Sequence, residues 1–302
     1  MYRAKIAVLA PAAVALTVSI AACGGHEKHQ QVSTGEPVPT PTVQTPSTPV
    51  ATTPSVPENV SYETADAAYT SHKYADAMNM FDAYTKHRPD NAWGYYMLGL
   101  SAWKSGQLDR ARDAFETAIQ KDPKQVKSLV NLSRVFLEQD KPSDALEQIQ
   151  AAIALDSANG SSWRVLGRVD ARLGKTDEAL DAYRRAITID SSDTWAMNDM
   201  GLLLIESGRY TDALGPLARA VQLDSNVAAF QNNLGLALER TGHATMAKSA
   251  FANALKVDST YAKAKVSLDR VTGRSDAKDA EAVDLDKLGQ DFAASTRNEG
   301  GC

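Results

Sequence analysis

The chain has 302 residues, room for two ordinary domains or one elongated one, with 43% hydrophobic residues and a formal net charge of −5. So modest a negative charge gives no reason to expect a nucleic-acid partner. Its two cysteines, Cys23 and Cys302, stand near opposite ends, which excludes a disulfide framework and any C-x-x-C or zinc-type spacing.

Arg3 and Lys5 precede an apolar run from Ile6 to Ile20 that is interrupted only by Pro11, Thr17 and Ser19, and the small residues Ala21 and Ala22 follow. That is the anatomy of a secretory signal. A membrane-spanning helix needs roughly 20 apolar residues, and Gly24-Gly25-His26-Glu27 ends the run too early. Ile20-Ala21-Ala22-Cys23 resembles a bacterial lipobox. The resemblance implies that the Cys23 thiol is diacylglycerylated, that residues 1–22 are removed as a lipoprotein signal peptide and that the mature chain starts at Cys23. An ordinary cleaved signal with an incidental cysteine is the alternative. Two or more acyl chains hold a protein on a membrane because each buried CH2 contributes about 0.8 kcal/mol. Gly24, rather than Asp, follows the cysteine; by resemblance to enterobacterial lipoproteins this implies the outer membrane, facing the periplasm. In a single-membraned organism the anchor would sit in the outer face of the plasma membrane. A bridge between Cys23 and Cys302 would compete with this acylation.

Residues 23–57 read as the lipidated cysteine and a disordered tether. Seven of the twelve prolines fall between Pro37 and Pro57, among Thr, Ser, Val and Gln and without an aromatic residue. Such a stretch disfavours helix and central strand and favours polyproline II. Fully extended, the 32 residues from His26 to Pro57 would reach on the order of 100 Å. His26-Glu27-Lys28-His29 places two imidazoles close together, but the spacing is not H-E-x-x-H and no packed element fixes them, so no metal site is expected.

From Glu58 the sequence repeats every 34 residues, with windows opening at Glu58, Ala92, Val126, Gly160, Thr194 and Ala228 and no gap. Position 7 carries Thr64, Leu98, Leu132, Leu166, Met200 and Leu234. Position 8 carries Ala65, Gly99, Ser133, Gly167, Gly201 and Gly235. Position 20 is alanine six times: Ala77, Ala111, Ala145, Ala179, Ala213 and Ala247. Position 24 is large: Phe81, Phe115, Ile149, Tyr183, Leu217 and Phe251. Position 27 is Tyr84 and then alanine. Small residues let helices close up while the large one fills the space between them. Over Glu58 to Tyr261 this pattern resembles the tetratricopeptide-repeat (TPR) family. The resemblance implies an all-α fold, a superhelix (α-solenoid) of six helix-turn-helix repeats, each a helix A and a helix B, over residues 58–261. A closing helix follows over 262–272, with Val266, Leu268 and Val271 packing back.

Within each repeat, Gly106, Gly174, Gly208 and Gly242 suit a left-handed end to helix A. Asp109, Asp177, Thr211 and Thr245 lie where a side-chain oxygen can cap helix B. An aspartate recurs before the last turn from Asp122 to Asp258, and Pro216 next to Gly215 predicts a kink in helix B of repeat five. The stretch 273–302 reads as an acidic, flexible tail; weak helical spacing of Ala282, Leu285, Leu288 and Phe292 leaves open a helix docked on the array or on a partner.

No catalytic site is expected. His72, His87 and His243 fall in different repeats without a neighbouring nucleophile, no phosphate-loop, dinucleotide, nucleophile-elbow or zinc-protease motif occurs, and the carboxylates sit at helix starts and on exposed faces. The reading is therefore non-enzymatic, with no cofactor, no metal and no small-molecule substrate.

TPR superhelices usually bind peptides along the concave face, lined near helix-A positions 2, 5, 6, 9, 12 and 13. By this resemblance the lining comprises an aromatic region (Trp93, Tyr96, Trp103), a cationic middle (Lys127, Arg134, Arg164, Arg168, Arg172, with Asn131) and an amide-rich end (Trp195, Asn198, Asn232, Asn233). Arginine forks hold carboxylates bidentately, aromatic side chains act as hot spots, and asparagines can pair with an extended backbone. The partner expected is a protein or peptide with acidic groups and an apolar anchor; the alternative is that these residues are the solvated side of helix A, with Trp93 and Trp195 packing between repeats. The lining does not match the lysine-and-asparagine carboxylate clamp of chaperone-binding TPR domains. Lipobox, tether and array together resemble pilotin-type and pilus-assembly lipoproteins, and also adaptors that recruit cell-wall hydrolases or proteases. Both imply a membrane-anchored interaction scaffold of the cell envelope.

Overall fold

A computed structural model describes residues 60–278 and 280–298; the signal peptide, Cys23, the Pro/Thr-rich stretch and Cys302 lie outside the described residues. Among the described residues all regular structure is helical, in fourteen elements. Six A/B pairs come first: α1 (Tyr62–Thr70) with α2 (Tyr74–His87), α3 (Ala92–Lys104) with α4 (Leu108–Lys121), and α5 (Val126–Glu138) with α6 (Pro142–Leu155). Then α7 (Gly160–Arg172) pairs with α8 (Thr176–Ile189), α9 (Thr194–Glu206) with α10 (Tyr210–Leu223), and α11 (Ala228–Arg240) with α12 (Ala244–Val257). The last two are α13 (Ala262–Val271) and α14 (Leu285–Asn298).

The A helix of each pair ends where the repeat pattern changes phase, and the backbone shows why. Position 15 takes a left-handed conformation in all six repeats: φ is +80°, +75°, +76° and +87° at Gly106, Gly174, Gly208 and Gly242, and +60° and +57° at His72 and Asp140. The next residue's N–H then reaches back to a carbonyl five residues earlier, as from Gln107 to Ala102 and from Lys175 to Asp170, both at 2.9 Å. This closes off carbonyls the helix would otherwise leave unpaired. Side-chain capping falls on different residues from those expected. The B helices have no side-chain cap bond at their start. Asp109 and Asp177 sit inside the first turn, where their charge meets the helix dipole. Four A helices are capped instead, by Ser61, Asn91, Asn159 and Asp193. The recurring aspartates accept from the N–H two residues on, as Asp122 does from Lys124 at 3.0 Å and Asp258 from Thr260 at 2.9 Å, and so fix the turn between repeats.

The core is one motif reused. All six position-20 alanines are fully buried, as are Phe81, Phe115, Ile149, Leu217 and Phe251 at position 24. The position-24 ring lies flat under the A helix at position 8. A Cβ on Gly99 would stand 2.6 Å from the Phe115 ring, and one on Gly235 2.6 Å from Phe251. Successive A helices touch each other, whereas successive B helices make no comparable contact. The stack therefore curves with its A helices inside, giving the TPR superhelix and a concave A-helix face.

Two expectations for the C-terminal part are corrected. In α13 the packing side is Ala264, Ser267 and Val271, with Leu268; Val266 is 63% exposed. The tail is not loose throughout, because α14 packs along α10. Gly215 and Gly289 permit the close approach: a Cβ on Gly215 would lie 3.3 Å from the Phe292 Cβ, and one on Gly289 2.6 Å from the Gln222 amide. Gln222 Nε2 donates to the Leu285 and Asp286 carbonyls, each at 3.2 Å. The strand-less stretch before α14 is held at the α11–α12 turn, where Ala277 N–H donates to the Gly242 carbonyl at 2.9 Å and His243 Nε2 bonds the Glu281 carbonyl at 2.7 Å. Gly215-Pro216 thus marks the seat of the tail helix, and α10 runs through Pro216 as one element.

Gly235→Ala should lower stability by about 1–3 kcal/mol through overpacking against Phe251, read as a lower denaturation midpoint; an unchanged midpoint contradicts this packing. Phe292→Ala should speed limited proteolysis between Gly273 and Leu285 while leaving the repeats resistant, and an unaltered cleavage rate contradicts the docking of α14.

Candidate partner-binding groove

The aromatic end of the inner face is built across repeats. Trp93 Nε1 donates to Tyr62 Oη at 2.7 Å, its ring lies 4.7 Å from that of Tyr96, and the Lys127 ammonium stands 5.3 Å above it. Trp93 nevertheless stays 39% exposed, whereas Tyr96 is buried. Trp103 is half-buried with Lys104 over its ring. Further along, Trp195 packs edge-on to Phe230 of the next repeat at 4.9 Å and remains 48% exposed. Both position-2 tryptophans therefore bridge repeats and still offer a ring face to solvent.

The cationic middle is less free than its sequence suggests. Arg134 donates to Asn131 Oδ1 at 3.0 Å and to Ser161 Oγ at 2.7 Å. Burial, with Arg164 and Arg168 nearby, pushes its guanidinium down to about 10. Arg164 lies 3.4 Å from Asp193, the N-cap of α9, and Arg172 pairs with Asp140 at 3.0 Å. Lys127 and Arg168 are exposed, and neither forms an ion pair among the described residues.

The amide-rich end is mostly interior. Asn131, Asn198, Asn232 and Asn233 are all buried. Asn233 donates to Asn198 Oδ1 at 2.9 Å, Asn232 to Asn233 Oδ1 at 3.2 Å, and Asn131 to Tyr96 Oη at 3.4 Å. These amides tie one A helix to the next, so the expected pairing of the asparagine row with a guest backbone is corrected to a ladder between repeats. Beyond it, Glu239 is almost wholly buried and receives Arg270 through Nε and Nη2 at 2.9 and 2.6 Å and Arg274 at 2.8 Å. This clamp fastens α13 and the start of the tail across the last repeat, and Arg270's bonds hold the Glu239 carboxyl below the usual carboxylate range.

Three acidic groups on the lining positions went unremarked in the sequence: Asp199 at position 6, Glu206 at position 13 and Glu239 at position 12. The register that selected Asn131 and Asn233 at position 6 also selects Asp199. Among the described residues no helix is long and apolar enough to cross a membrane and no group of three or more His, Cys, Asp or Glu residues could hold a metal ion.

Stacked helix pairs around an inner face define the class of α-solenoid interaction scaffolds. The tetratricopeptide repeat family model matches residues 62–126, 130–194 and 198–262, and the chain belongs to that family. It is accordingly a protein–protein interaction scaffold that takes protein or peptide partners, in a family whose members are generally not enzymes. Over 92 residues it is 33% identical to a peroxisomal targeting signal receptor of Komagataella phaffii, covering 30% of this chain and 14% of the receptor. The chain thus spans about a seventh of the length of the curated relatives it matches. Among solved structures it resembles the APC/C hetero-tetramer Cut9-Hcn1, with a TM-score of 0.62 at 16% identity over 68% of this chain and 41% of that one. It also resembles pilF of Pseudomonas aeruginosa, with a TM-score of 0.55 at 18% identity over 70% and 90%. At these identities the likeness is one of fold.

Because the Glu239 carboxyl titrates lower in the folded chain than in the unfolded one, its contribution is full above the unfolded carboxylate range, about pH 4.3, and fades as pH falls through the folded value. Glu239→Gln should cost about 1–3 kcal/mol at neutral pH, with the gap to the parent narrowing in acid. A gap that is constant with pH, measured by chemical denaturation, contradicts the clamp.

Proposed function

We propose that the chain is an exported, lipid-anchored scaffold of the bacterial cell envelope, which receives an extended partner segment along its inner face and supports assembly of an envelope complex, in the manner of pilotin-type lipoproteins of pilus and secretion systems. The anchoring half of this reading rests on the lipobox-like Ile20-Ala21-Ala22-Cys23, with Gly24 favouring the outer membrane on its periplasmic side. The binding half is carried by one observation: Trp93 and Trp195, at the same repeat position and three repeats apart, keep exposed ring faces on an otherwise closely packed wall. Exposed tryptophans on a rigid support are efficient anchors, because covering them removes a large apolar area from water at little conformational cost. The partner segment carries a bulky apolar side chain for such an anchor and acidic groups toward Arg134, Arg164 and Arg168.

A second reading, an adaptor that recruits cell-wall hydrolases or proteases, is favoured by the 32-residue Pro/Thr-rich stretch. A chain of that composition lets a recruited enzyme work on the order of 100 Å from the anchor.

Fatty-acid labelling of the full chain should mark the protein, and Cys23→Ser should abolish the label; a label that survives this change refutes the anchor. Crosslinking and affinity capture from membranes should recover a partner that Trp93→Ala with Trp195→Ala, or Arg164→Glu with Arg168→Glu, reduces at least about tenfold. Undiminished capture by both variants refutes the groove.

A further inference from the structure

The inner face contains a notch of about 200 Å³ between repeats three and five, walled by Leu137, Ala171, Leu202 and Leu203. Tyr183 reaches it from below. Position 24 is a hydrocarbon side chain in the other five repeats, but here a tyrosine passes under α7 at Gly167, where a Cβ would stand 2.6 Å from the ring. Its hydroxyl, placed among Asp199, Arg168 and Glu206, has no hydrogen-bond partner among the described residues. Asp199 is equally under-used. It is half-buried, and its one bond is a long one from Asn198 Nδ2 at 3.3 Å. Burial raises the Asp199 carboxyl, the mark of a carboxylate that has lost water without gaining full replacement.

The charges decide what would complete the notch. Arg172 is already answered by Asp140. That leaves Arg168 facing two carboxylates, Asp199 and Glu206, with no ion pair among the described residues to either. A guest lying along the groove would exclude water from this set, and a neutral or acidic side chain would leave an uncompensated negative charge in a drier place, which is costly. We infer that the notch receives a lysine or arginine side chain of the partner segment, its aliphatic stem against the leucines and its head on Asp199, Glu206 and Tyr183 Oη. This rests on the inner face being the binding face and adds one basic residue to the segment, displaced along the groove from the acidic groups that meet Arg134 and Arg164.

The test is selection of a random peptide library on the detergent-solubilised full chain and on its Asp199→Asn and Glu206→Gln variants, with helix content checked by circular dichroism. The parent should enrich peptides with Lys or Arg at a fixed distance from an apolar residue. Replacing that basic residue by Met should weaken binding about tenfold, and the preference should disappear in Asp199→Asn and weaken in Glu206→Gln. Peptides whose binding needs Trp93 and Trp195 but shows no basic preference, or a preference that both variants retain, overturn this inference alone. Failure to select any peptide dependent on those tryptophans overturns the groove reading and this inference with it.

Discussion

The structure depends on one close approach, repeated: a large side chain at position 24 laid under a helix whose position 8 has no room for more than a hydrogen or a very small group. Phe115 under Gly99 and Phe251 under Gly235 show it at its tightest. Helix pairs held this way have a fixed angle, so each pair presents its neighbour with the same surface, and the array grows without a central core. The alanines at position 20, all fully buried, allow no slack for a different register. A curved wall of A helices follows from this packing.

The wall is stitched from within. Asn198, Asn232 and Asn233 link repeats five and six, Arg134 bonds Asn131 in its own helix and Ser161 in the next repeat, and Glu239 binds two arginines from the closing segment. These polar side chains stand on the groove side but are occupied by each other, which stiffens the surface on which Trp93, Trp195, Lys127 and Arg168 are displayed. A rigid display lowers the ordering cost of binding. The outer side is different in kind: Leu155, Ile189, Leu223 and Val257 are exposed at position 30, at the ends of successive B helices, and α14 covers part of α10.

The repeat period made the architecture legible, because position-specific residue size is enforced by steric contact and survives in every repeat. Helix ends were legible where a glycine stands at position 15, yet His72 and Asp140 adopt the same left-handed turn, so the geometry belongs to the position rather than to the residue. What could not be read was which polar groups satisfy one another. Asn198 and Asn233 occupy lining positions, and only their mutual bond shows that they are interior. Asp109 looks like a cap and is a first-turn charge. Gly215-Pro216 reads as a kink, and its meaning lies in Phe292, more than seventy residues away. Asp199 was within reach of the sequence, since its position had been singled out in two other repeats, but its shortage of partners is a fact of three dimensions.

The central claim is that the A-helix wall, and not the apolar stripe at the ends of the B helices, meets the partner. Site-specific photocrosslinking in cells compares them directly, with the photoreactive residue placed at Trp195 in one experiment and at Ile189 in another, side chains that are 48% and 39% exposed. A discrete adduct from position 195 and none from position 189 is the predicted result. An adduct formed only from position 189 would contradict it.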